Sequence, residues 1–449
     1  LYANTTGAQN TGIGYAALFT NTTASNNTAV GYNALDHNTT GAANTAVGSE
    51  SLDANTTGTR NTAVGYQALK ANTTADDNTA IGRQTLLANT TGANNTALGK
   101  SAMTDNTTGT SNTAVGINCM LANTTGGENT AVGAFALDAS NSTGNTAVGR
   151  SALSALTTGS YNVAIGRKAL ESQTTASDNV AIGNLALAVN TTGTNNVAVG
   201  ANALDSNTTA SNNTALGDNA LGAHTTGGDN TAVGSSSLGQ CTTGHTNNAL
   251  GKGAGGNVTT GTKNTLLGST GPVSTGSYNI LIGYNAGEAS SPSGQVTTGS
   301  GNVVLGDNNI SNLYCADTSI SSSDARDKTD VTDFTHGLSW IKELRPVTYR
   351  WDRRSWYTDD PDTKGTPDGS KKRDRLHIGF LAQEAIEVEK KHGYAGKKDD
   401  MLIVNQDEDE ADPSYGMKYE RLVPVLVNAV KELSAENTAL KARLDAAGL

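Results

Sequence analysis

The chain is poor in the residues that build ordinary cores and covalent cross-links. Aromatic side chains make up 4% of its 449 residues, and it contains only three cysteines. Such a composition excludes a thick aromatic core for most of the chain. The cysteines, Cys119, Cys241 and Cys315, are odd in number and widely spaced, which predicts neither a disulfide framework nor a metal site. Because Cys119 replaces a recurrent alanine, we expect it to be a small buried apolar residue.

Long apolar runs and excess positive charge are also missing. No run approaches the roughly 18–20 apolar residues that a membrane helix needs. With 30 basic and 41 acidic residues, the formal net charge is −11, so we expect neither nucleic acid nor membrane insertion. The acidic run at 407–412 lacks the spacing of a calcium loop and favours a solvated face. The sequence thus predicts no metal and no cofactor.

What the chain has instead is one short phrase, Asn-Thr-Ala-Val-Gly or a close variant, repeated eighteen times. Neighbouring copies are 17 residues apart nearly throughout, with one step of 16 and late steps of 15 and 23. A fixed period indicates a stacked repeat architecture, and disordered tracts have no reason to keep one. The copies begin at Asn10, Asn27, Asn44, Asn61, Asn78, Asn95, Asn112, Asn129, Asn145, Asn162, Asn179, Asn196, Asn213, Asn230, Asn247, Asn264, Asn279 and Asn302.

One repeat has the composition of a short strand followed by a tight corner. Its apolar residues are Ala29, Val30, Ala34 and Leu35, and Gly31 supplies a turn. One unit cannot bury these side chains alone, so we expect stacked units to share a continuous thin core. At about 4.8 Å per coil, eighteen coils make a rod on the order of 90 Å long.

The polar residues of the repeat also predict structure. An asparagine at a fixed position can stack into a ladder, as asparagine does in cross-β assemblies. The Asn-Thr-Thr triplets match the acceptor pattern for N-glycosylation. Because the triplets keep the phase of the repeat, the structural interpretation is favoured.

The last segment has the spacing of a coiled-coil seam. Its positions are separated by alternating steps of four and three residues, and they are Leu426, Val430, Leu433, Asn437, Leu440 and Leu444. A single helix packed on its own domain stays open as an alternative. Asn437 favours oligomerisation, because a buried asparagine on a seam fixes register at a cost in stability.

Beyond residue 322 the repeat stops and the density of charge rises. Residues 337–351 predict a short helix, a break at Pro346 and a strand. Residues 377–384 predict a strand that leads into a helix. Residues 419–424 lead into the coiled-coil helix.

Four ordered motifs in this part resemble the intramolecular chaperone domain of phage endosialidases and tail fibres, the S74 self-cleaving peptidase family. They are Ser-Asp-x-Arg-x-Lys at 323–328, Leu-Arg-Pro-Val-Thr-Tyr at 344–349, Gly-Phe-Leu-Ala-Gln-Glu at 379–384 and Tyr-x-x-Leu-Val-Pro at 419–424. The resemblance implies a domain that trimerises, guides the folding of the preceding fibre and cuts itself off. It also implies a Ser-Lys dyad, with Ser323 as nucleophile and Lys328 as base. The repeats resemble those of trimeric phage tail fibres and, more loosely, the heads of trimeric autotransporter adhesins.

The chemistry of a Ser-Lys dyad is compatible with these positions. A serine hydroxyl needs a neighbouring base, and lysine is a base only when burial or nearby cations lower its pKa. Attack by Ser323 on the carbonyl of Ser322 passes through a five-membered ring, whereas attack on its own carbonyl would need a four-membered one. This favours cleavage of the Ser322–Ser323 bond, while the Ser323–Asp324 bond stays open to attack from a neighbouring chain. His377 either assists proton transfer or is structural.

Taken together, the sequence predicts a mainly β protein with two domains. Residues 1–322 form a 17-residue-repeat β-solenoid or β-roll shaft, which we expect to be trimeric. Residues 323–449 form a small α/β chaperone and auto-peptidase domain, with a coiled coil at about 422–446. The chain begins within the repeat, so we expect it to be a fragment of something longer.

The predicted function is that of a homotrimeric bacteriophage tail fibre in the virion, which attaches to a host cell-surface receptor such as a glycan. The only enzymatic activity expected is single-turnover self-cleavage. One alternative is a polysaccharide-degrading tailspike whose catalytic domain lies upstream, because no insertion in the repeats could hold the two carboxylates of a glycosidase. The other is a bacterial trimeric surface adhesin, for which the sequence lacks an anchoring β segment at its C-terminus.

Overall fold

The computed structural model describes residues 2–268, 271–289, 291, 293–307, 309–310, 329, 331–354, 357, 365–397, 400–406 and 413–448. The chain divides into two compact units, Leu1–Asn312 and Leu313–Leu449. The domain boundary predicted at 322/323 lies outside the described residues. Within those residues, no helix has both the length and the apolar character needed to cross a membrane.

The first unit is a parallel β-solenoid, which confirms the predicted shaft. Each repeat contributes one three-residue strand, and strands from successive repeats pair in parallel in one 18-stranded sheet. The strands are β1 Thr11–Ile13, β2 Thr28–Val30, β3 Thr45–Val47, β4 Thr62–Val64, β5 Thr79–Ile81, β6 Thr96–Leu98, β7 Thr113–Val115, β8 Thr130–Val132, β9 Thr146–Val148, β10 Val163–Ile165, β11 Val180–Ile182, β12 Val197–Val199, β13 Thr214–Leu216, β14 Thr231–Val233, β15 Asn248–Leu250, β16 Thr265–Leu267, β17 Ile280–Ile282 and β18 Val303–Leu305.

The register of the sheet survives the irregular repeats. Thr130 pairs with Thr146 across the 16-residue step, and Ile280 pairs with Val303 across the 23-residue step. The missing and extra residues are therefore accommodated outside the strands, and equivalent strand positions stay aligned along the whole sheet.

The core of the solenoid is thinner than the sequence predicts. Ala29, Ala34 and Leu35 are fully buried, but the expectation that Val30 shares this core is wrong. Successive side chains of a strand point to opposite faces, so an inward Ala29 places Val30 on the outer face. The equivalent Val47 is 36% exposed. Each coil thus buries small residues and one leucine.

Three residues with positive φ, Gly31, Asn33 and Leu35, form the corner after β2, and most other coils repeat this pattern. Gly31 has a φ of +144°, and a Cβ atom at this position would lie 2.4 Å from the carbonyl oxygen of Gly48 in the next coil. Leu35 has a φ of +55°, which is strained for leucine. Its N–H nevertheless donates to the Ser51 carbonyl of the next coil at 3.0 Å. Stacking between coils thus holds a conformation that one coil would not keep.

The predicted asparagine ladder runs just before the strands, and we name it the strand-entry ladder. It consists of the eighteen asparagines that open the repeats, from Asn10 to Asn302. The Oδ1 atom of Asn61 accepts the backbone N–H of Asn78 at 3.0 Å, and its Nδ2 donates to the Ala75 carbonyl at 2.8 Å. Asn61 and Asn78 are fully buried. Each side chain therefore satisfies a buried N–H of the next coil and shares a carbonyl with an asparagine of the Asn-Thr-Thr triplets, as Asn61 shares the Ala75 carbonyl with Asn72.

A second ladder is formed by the asparagines of the Asn-Thr-Thr triplets. Asn38 is fully buried, and its Nδ2 donates to Asn21 Oδ1 and to the Gly41 carbonyl, each at 2.9 Å. The nitrogen that a glycan would modify is therefore engaged within the coil, which supports the structural interpretation of the triplets.

The second unit is a small α/β domain. Its two sheets are antiparallel pairs, β19 with β20 and β21 with β22. Its elements are α1 Leu338–Glu343, β19 Val347–Tyr349, β20 His377–Gly379, α2 Ala382–Lys391, β21 Val404–Gln406, β22 Tyr415–Met417, a 3₁₀ turn Tyr419–Arg421 and α3 Leu422–Ala446. Its core lies around the fully buried Trp340 and includes Ile386, Val404 and Val425.

A buried carboxylate joins helix α2 to strand β21. Glu389 is fully buried, and its oxygens accept the backbone N–H groups of Leu402 at 2.9 Å, Ile403 at 2.6 Å and Val404 at 2.9 Å. Three donors satisfy the charge of this side chain and fix where β21 begins.

Removing one rung of the strand-entry ladder should destabilise the shaft. Asn78→Ala leaves the Asn95 N–H without the side-chain oxygen that now lies at 3.0 Å, while the Gly92 carbonyl keeps the amide of Asn89 at 2.9 Å. One unpaired buried N–H group costs about 1–3 kcal/mol. We expect a fall of this order in guanidinium denaturation, together with faster hydrogen exchange in the segment that contains Asn95. The exposed Thr91 is a matched control, and equal losses from Thr91→Ala would contradict the role of the ladder.

Candidate functional site

The predicted catalytic pair lies outside the described residues. This applies to Ser323 and Lys328, and to both candidate scissile bonds, Ser322–Ser323 and Ser323–Asp324. Their roles stay predictions. Of the residues proposed for the site, His377 is the one that the structure describes.

His377 lies among aromatic rings at the start of β20. Its backbone pairs with Tyr349 on β19. Its ring stacks on Tyr349, with centroids 5.5 Å apart and an interplanar angle of 21°, and meets Trp351 edge-on at 6.2 Å. Strand pairing and two rings therefore fix the position of the imidazole. We name the four residues His377, Tyr349, Trp351 and Arg353 the β19–β20 cluster.

The β19–β20 cluster combines a cation with a phenol. The guanidinium of Arg353 lies 4.5 Å from the centre of the Trp351 ring, a cation–π arrangement. Burial lowers the pKa of Arg353 and raises the pKa of Tyr349. Tyr349 therefore stays a neutral phenol over the physiological pH range. A cation, a neutral phenol and an imidazole are groups that can stabilise negative charge or transfer a proton.

Two of the sequence motifs meet at Gly379. The hydroxyl of Tyr419 accepts the backbone N–H of Phe380 at 3.1 Å. A Cβ atom on Gly379 would lie 2.4 Å from that hydroxyl oxygen. The motif at 379–384 therefore needs glycine at its first position, because the tyrosine of the motif at 419–424 approaches the backbone there.

An ion pair joins a third motif to the same place. The guanidinium of Arg345 donates to both carboxylate oxygens of Glu384, with Nε 3.1 Å from Oε2. The hydrogen bond from Arg345 lowers the pKa of Glu384. Both side chains are exposed, so the pair contributes more to geometry than to stability. Three of the four motifs are thus brought together by specific contacts, and the fourth, at 323–328, lies outside the described residues.

Helix α3 uses one face within its own domain and leaves another uncovered. Leu422, Val425 and Ala429 are buried, and the side-chain amide of Asn428 donates to the Phe334 carbonyl at 2.5 Å. The predicted seam lies elsewhere on the helix, and its residue Val430 is 65% exposed. The other apolar seam residues, Leu426, Leu433, Leu440 and Leu444, are also exposed.

One group of side chains in the described part of the chain has the spacing of a cation site. Asp36, His37 and Asp53 offer ligand atoms within 4.8 Å of one another. The Nδ1 atom of His37 lies 3.4 Å from an Asp53 oxygen, and burial raises the pKa of Asp36. The same Nδ1 atom lies 3.0 Å from the Asp53 carbonyl oxygen, so a hydrogen bond between consecutive coils accounts for this arrangement.

The sequence analysis did not identify several residues that shape the β19–β20 cluster and its domain. Trp351 and Arg353 directly follow the motif at 344–349, so their position was the available signal. The buried Glu389 had no signal, because it stands among ordinary charged residues of an amphipathic helix. Only its three backbone donors distinguish it.

The contact between Gly379 and Tyr419 yields a reciprocal prediction. Gly379→Ala forces its new methyl group against the tyrosine hydroxyl and should destabilise the domain by about 1–3 kcal/mol. Tyr419→Phe removes that oxygen and one hydrogen bond, at about 1 kcal/mol. In denaturant titrations, the double variant should lose clearly less than the sum of the two single losses. Strict additivity would show that the two residues do not interact.

Comparison with known families places this domain. Residues 323–394 match the family model Peptidase_S74, described as chaperone of endosialidase. The comparison with curated proteins and the comparison with solved structures each returned no match. The matched segment begins at Ser323, and the family implies self-cleaving peptidase activity. The chain therefore joins a β-solenoid shaft to a segment that matches the Peptidase_S74 model, and this combination fits a tail-fibre or endosialidase-type protein.

Proposed function

We propose that this chain is the shaft of a homotrimeric phage tail fibre whose C-terminal domain templates folding and then cuts itself off. The observation that carries the proposal is a Peptidase_S74 segment that begins at Ser323, after an 18-stranded solenoid. In this role the shaft is part of the virion and presents its surface to a receptor on the host cell, for which a glycan is our candidate.

The uncovered face of α3 supports trimerisation. A helix that only packed on its own domain would bury its apolar residues there, yet Leu433 and Leu440 are 45% and 50% exposed. Their heptad spacing suits a coiled coil with other copies of α3. Asn437 on the same seam would fix the register of the three helices.

The solenoid supplies the reason for a chaperone. Backbone groups of each coil bond to the coils on either side, and equivalent residues repeat at every level. Assembly that starts at the wrong coil would therefore satisfy nearly as many hydrogen bonds as assembly that starts at the right coil. A domain that aligns three C-termini removes most of the entropy cost of starting correctly. Its removal afterwards would make the assembly kinetically stable.

The proposed cleavage is an acyl shift followed by hydrolysis. The Ser323 hydroxyl gives its proton to the neutral amine of Lys328 while its oxygen attacks the carbonyl carbon of Ser322. The C–N bond then breaks, the Ser323 nitrogen takes the proton, and an ester joins the two residues. Water hydrolyses this ester, leaving a carboxylate at Ser322 and the original hydroxyl on Ser323. The chain undergoes this reaction once.

The β19–β20 cluster is the proposed support for this reaction. His377 is held by strand pairing and by the rings of Tyr349 and Trp351, as expected for a residue that positions or relays a proton. Arg353 adds a positive charge over the Trp351 ring. The alternative is that His377 serves only the packing of the two strands.

Self-cleavage predicts a defined set of fragments. The wild type should release the fragment from residue 323 to 449, visible on denaturing gels and by mass spectrometry, whereas Ser323→Ala should stay intact. Lys328→Arg should also stay intact, because guanidinium is not a base at neutral pH. Ser322→Ala is the matched control and should still be cut, since only its carbonyl takes part.

The new N-terminus distinguishes the two candidate bonds. A fragment that begins at Ser323 supports attack within one chain, and one that begins at Asp324 contradicts it. Native mass should correspond to three chains for both wild type and Ser323→Ala. Efficient cleavage of Ser323→Ala would overturn the proposed nucleophile.

A further inference from the structure

We propose that the outward aliphatic side chains of the solenoid sheet are the surface through which copies of this chain pack side by side, parallel and in register. The inference deepens the proposed function and rests on it for the presence of more than one copy. We name the third residues of the strands the aliphatic row. They are Ile13, Val30, Val47, Val64, Ile81, Leu98, Val115, Val132, Val148, Ile165, Ile182, Val199, Leu216, Val233, Leu250, Leu267, Ile282 and Leu305.

The aliphatic row is continuous and accessible within one chain. Every one of its eighteen members is valine, isoleucine or leucine, and Leu98 and Leu250, away from the ends of the row, are 45% and 51% exposed. Because paired strands lie about 4.8 Å apart, neighbouring side chains touch along the sheet. The row is therefore one stripe along the shaft and not a set of isolated apolar residues.

Charge is excluded from the whole outer face of the sheet. The other outward residue of each strand is its first, and this is threonine, valine, asparagine or isoleucine at every level. The chain has 71 charged residues, 41 acidic and 30 basic, yet none occupies these outward positions. A sheet face that meets only water carries polar and charged residues, so this face has the composition of one that is covered.

The size of the row suits an interface between proteins. If each side chain exposes about 60–70 Å², the row presents on the order of 1,000 Å² of aliphatic surface, whereas the largest apolar patch on a typical monomer is about 300–600 Å². A standard interface buries about 800 Å² on each partner. A single neighbouring copy would cover much of the row, and two copies would cover it from both sides.

The regular spacing of the aliphatic row indicates which partner packs against it. A partner must offer apolar groups at the spacing of the coils over eighteen levels, and a second copy of this chain, running in the same direction, carries that pattern. The face offers aliphatic side chains rather than the aromatic platforms that stack on sugar rings. The exposed seam of α3 also calls for parallel copies, because it lies at the C-terminal end of every chain.

The composition of the outer sheet face changes along the shaft, and this change favours packing of the copies in register. The first strand residue is threonine in most coils, but it is valine in three consecutive strands, at Val163, Val180 and Val197. Copies at the same level bring these wider apolar segments together. A shift of several coils would place them against threonine hydroxyls and lose that burial.

A single cysteine tests the surface and the register together. In the full-length chain with Cys315→Ser, Ile182→Cys places one thiol on the row at β11. Identical thiols from in-register copies should meet, and mild oxidation should give disulfide-linked dimers on a non-reducing gel. The native Cys119 and Cys241 are buried, and burial raises the pKa of their thiols to about 12 and about 11, so they should stay reduced.

Thr192→Cys is the matched control, because Thr192 is an exposed residue at another corner of the same coil. Linked dimers from Ile182→Cys at a yield at least tenfold above Thr192→Cys support the proposal. Equal yields from the two variants, or no dimers from Ile182→Cys, overturn it. Circular dichroism of both variants checks that the solenoid is folded.

The cross-linking test of the aliphatic row and the cleavage test of the proposed function have independent outcomes. Dimers from Ile182→Cys in a chain that releases no fragment would support the aliphatic row and contradict self-cleavage. Release of the 323–449 fragment without dimers would contradict the row and leave the proposed function in place.

Discussion

Hydrogen bonding between successive coils is the constraint on which the rest of this structure depends. A coil with a three-residue strand and one leucine cannot satisfy its backbone or bury its apolar residues by itself. The strand-entry ladder solves the polar half of the problem, since Asn61 accepts the N–H of Asn78 in the next coil while it holds a carbonyl across the interior. Alanine at the inward strand position leaves room for these amides, and glycine after the strand allows the next coil to approach.

The same geometry explains why such a shaft would need help to assemble. A three-residue strand with one inward side chain has two outward ones, and one of these is aliphatic at every level. A single chain therefore displays a long apolar stripe while it folds, and every level resembles its neighbours. Alignment of chains at one end, through a domain that ends in a long helix with an uncovered heptad seam, is a physical answer to both difficulties. Cleavage after assembly would then leave a kinetically trapped fibre.

The fold was largely predictable because its determinants are local and repeated. The 17-residue period and the fixed asparagine are enough to predict a stacked solenoid with a ladder. The direction of Val30 was not predictable, since Ala29 and Val30 are adjacent apolar residues and composition does not say which one points inward. The site was less predictable. The contact of Gly379 with Tyr419, and the packing of Trp351 on His377, join segments far apart in sequence, and Ser323 and Lys328 remain predictions from motif positions.

The most direct test of this account is a refolding comparison. The uncleavable Ser323→Ala chain and the released shaft that ends at residue 322 are each unfolded in guanidinium and then diluted into buffer. Recovery is followed by circular dichroism and native mass. The account predicts that the uncleavable chain regains a folded trimer while the released shaft aggregates or stays unfolded. Equal recovery of native shaft from both samples would contradict the claim that the C-terminal domain templates the assembly.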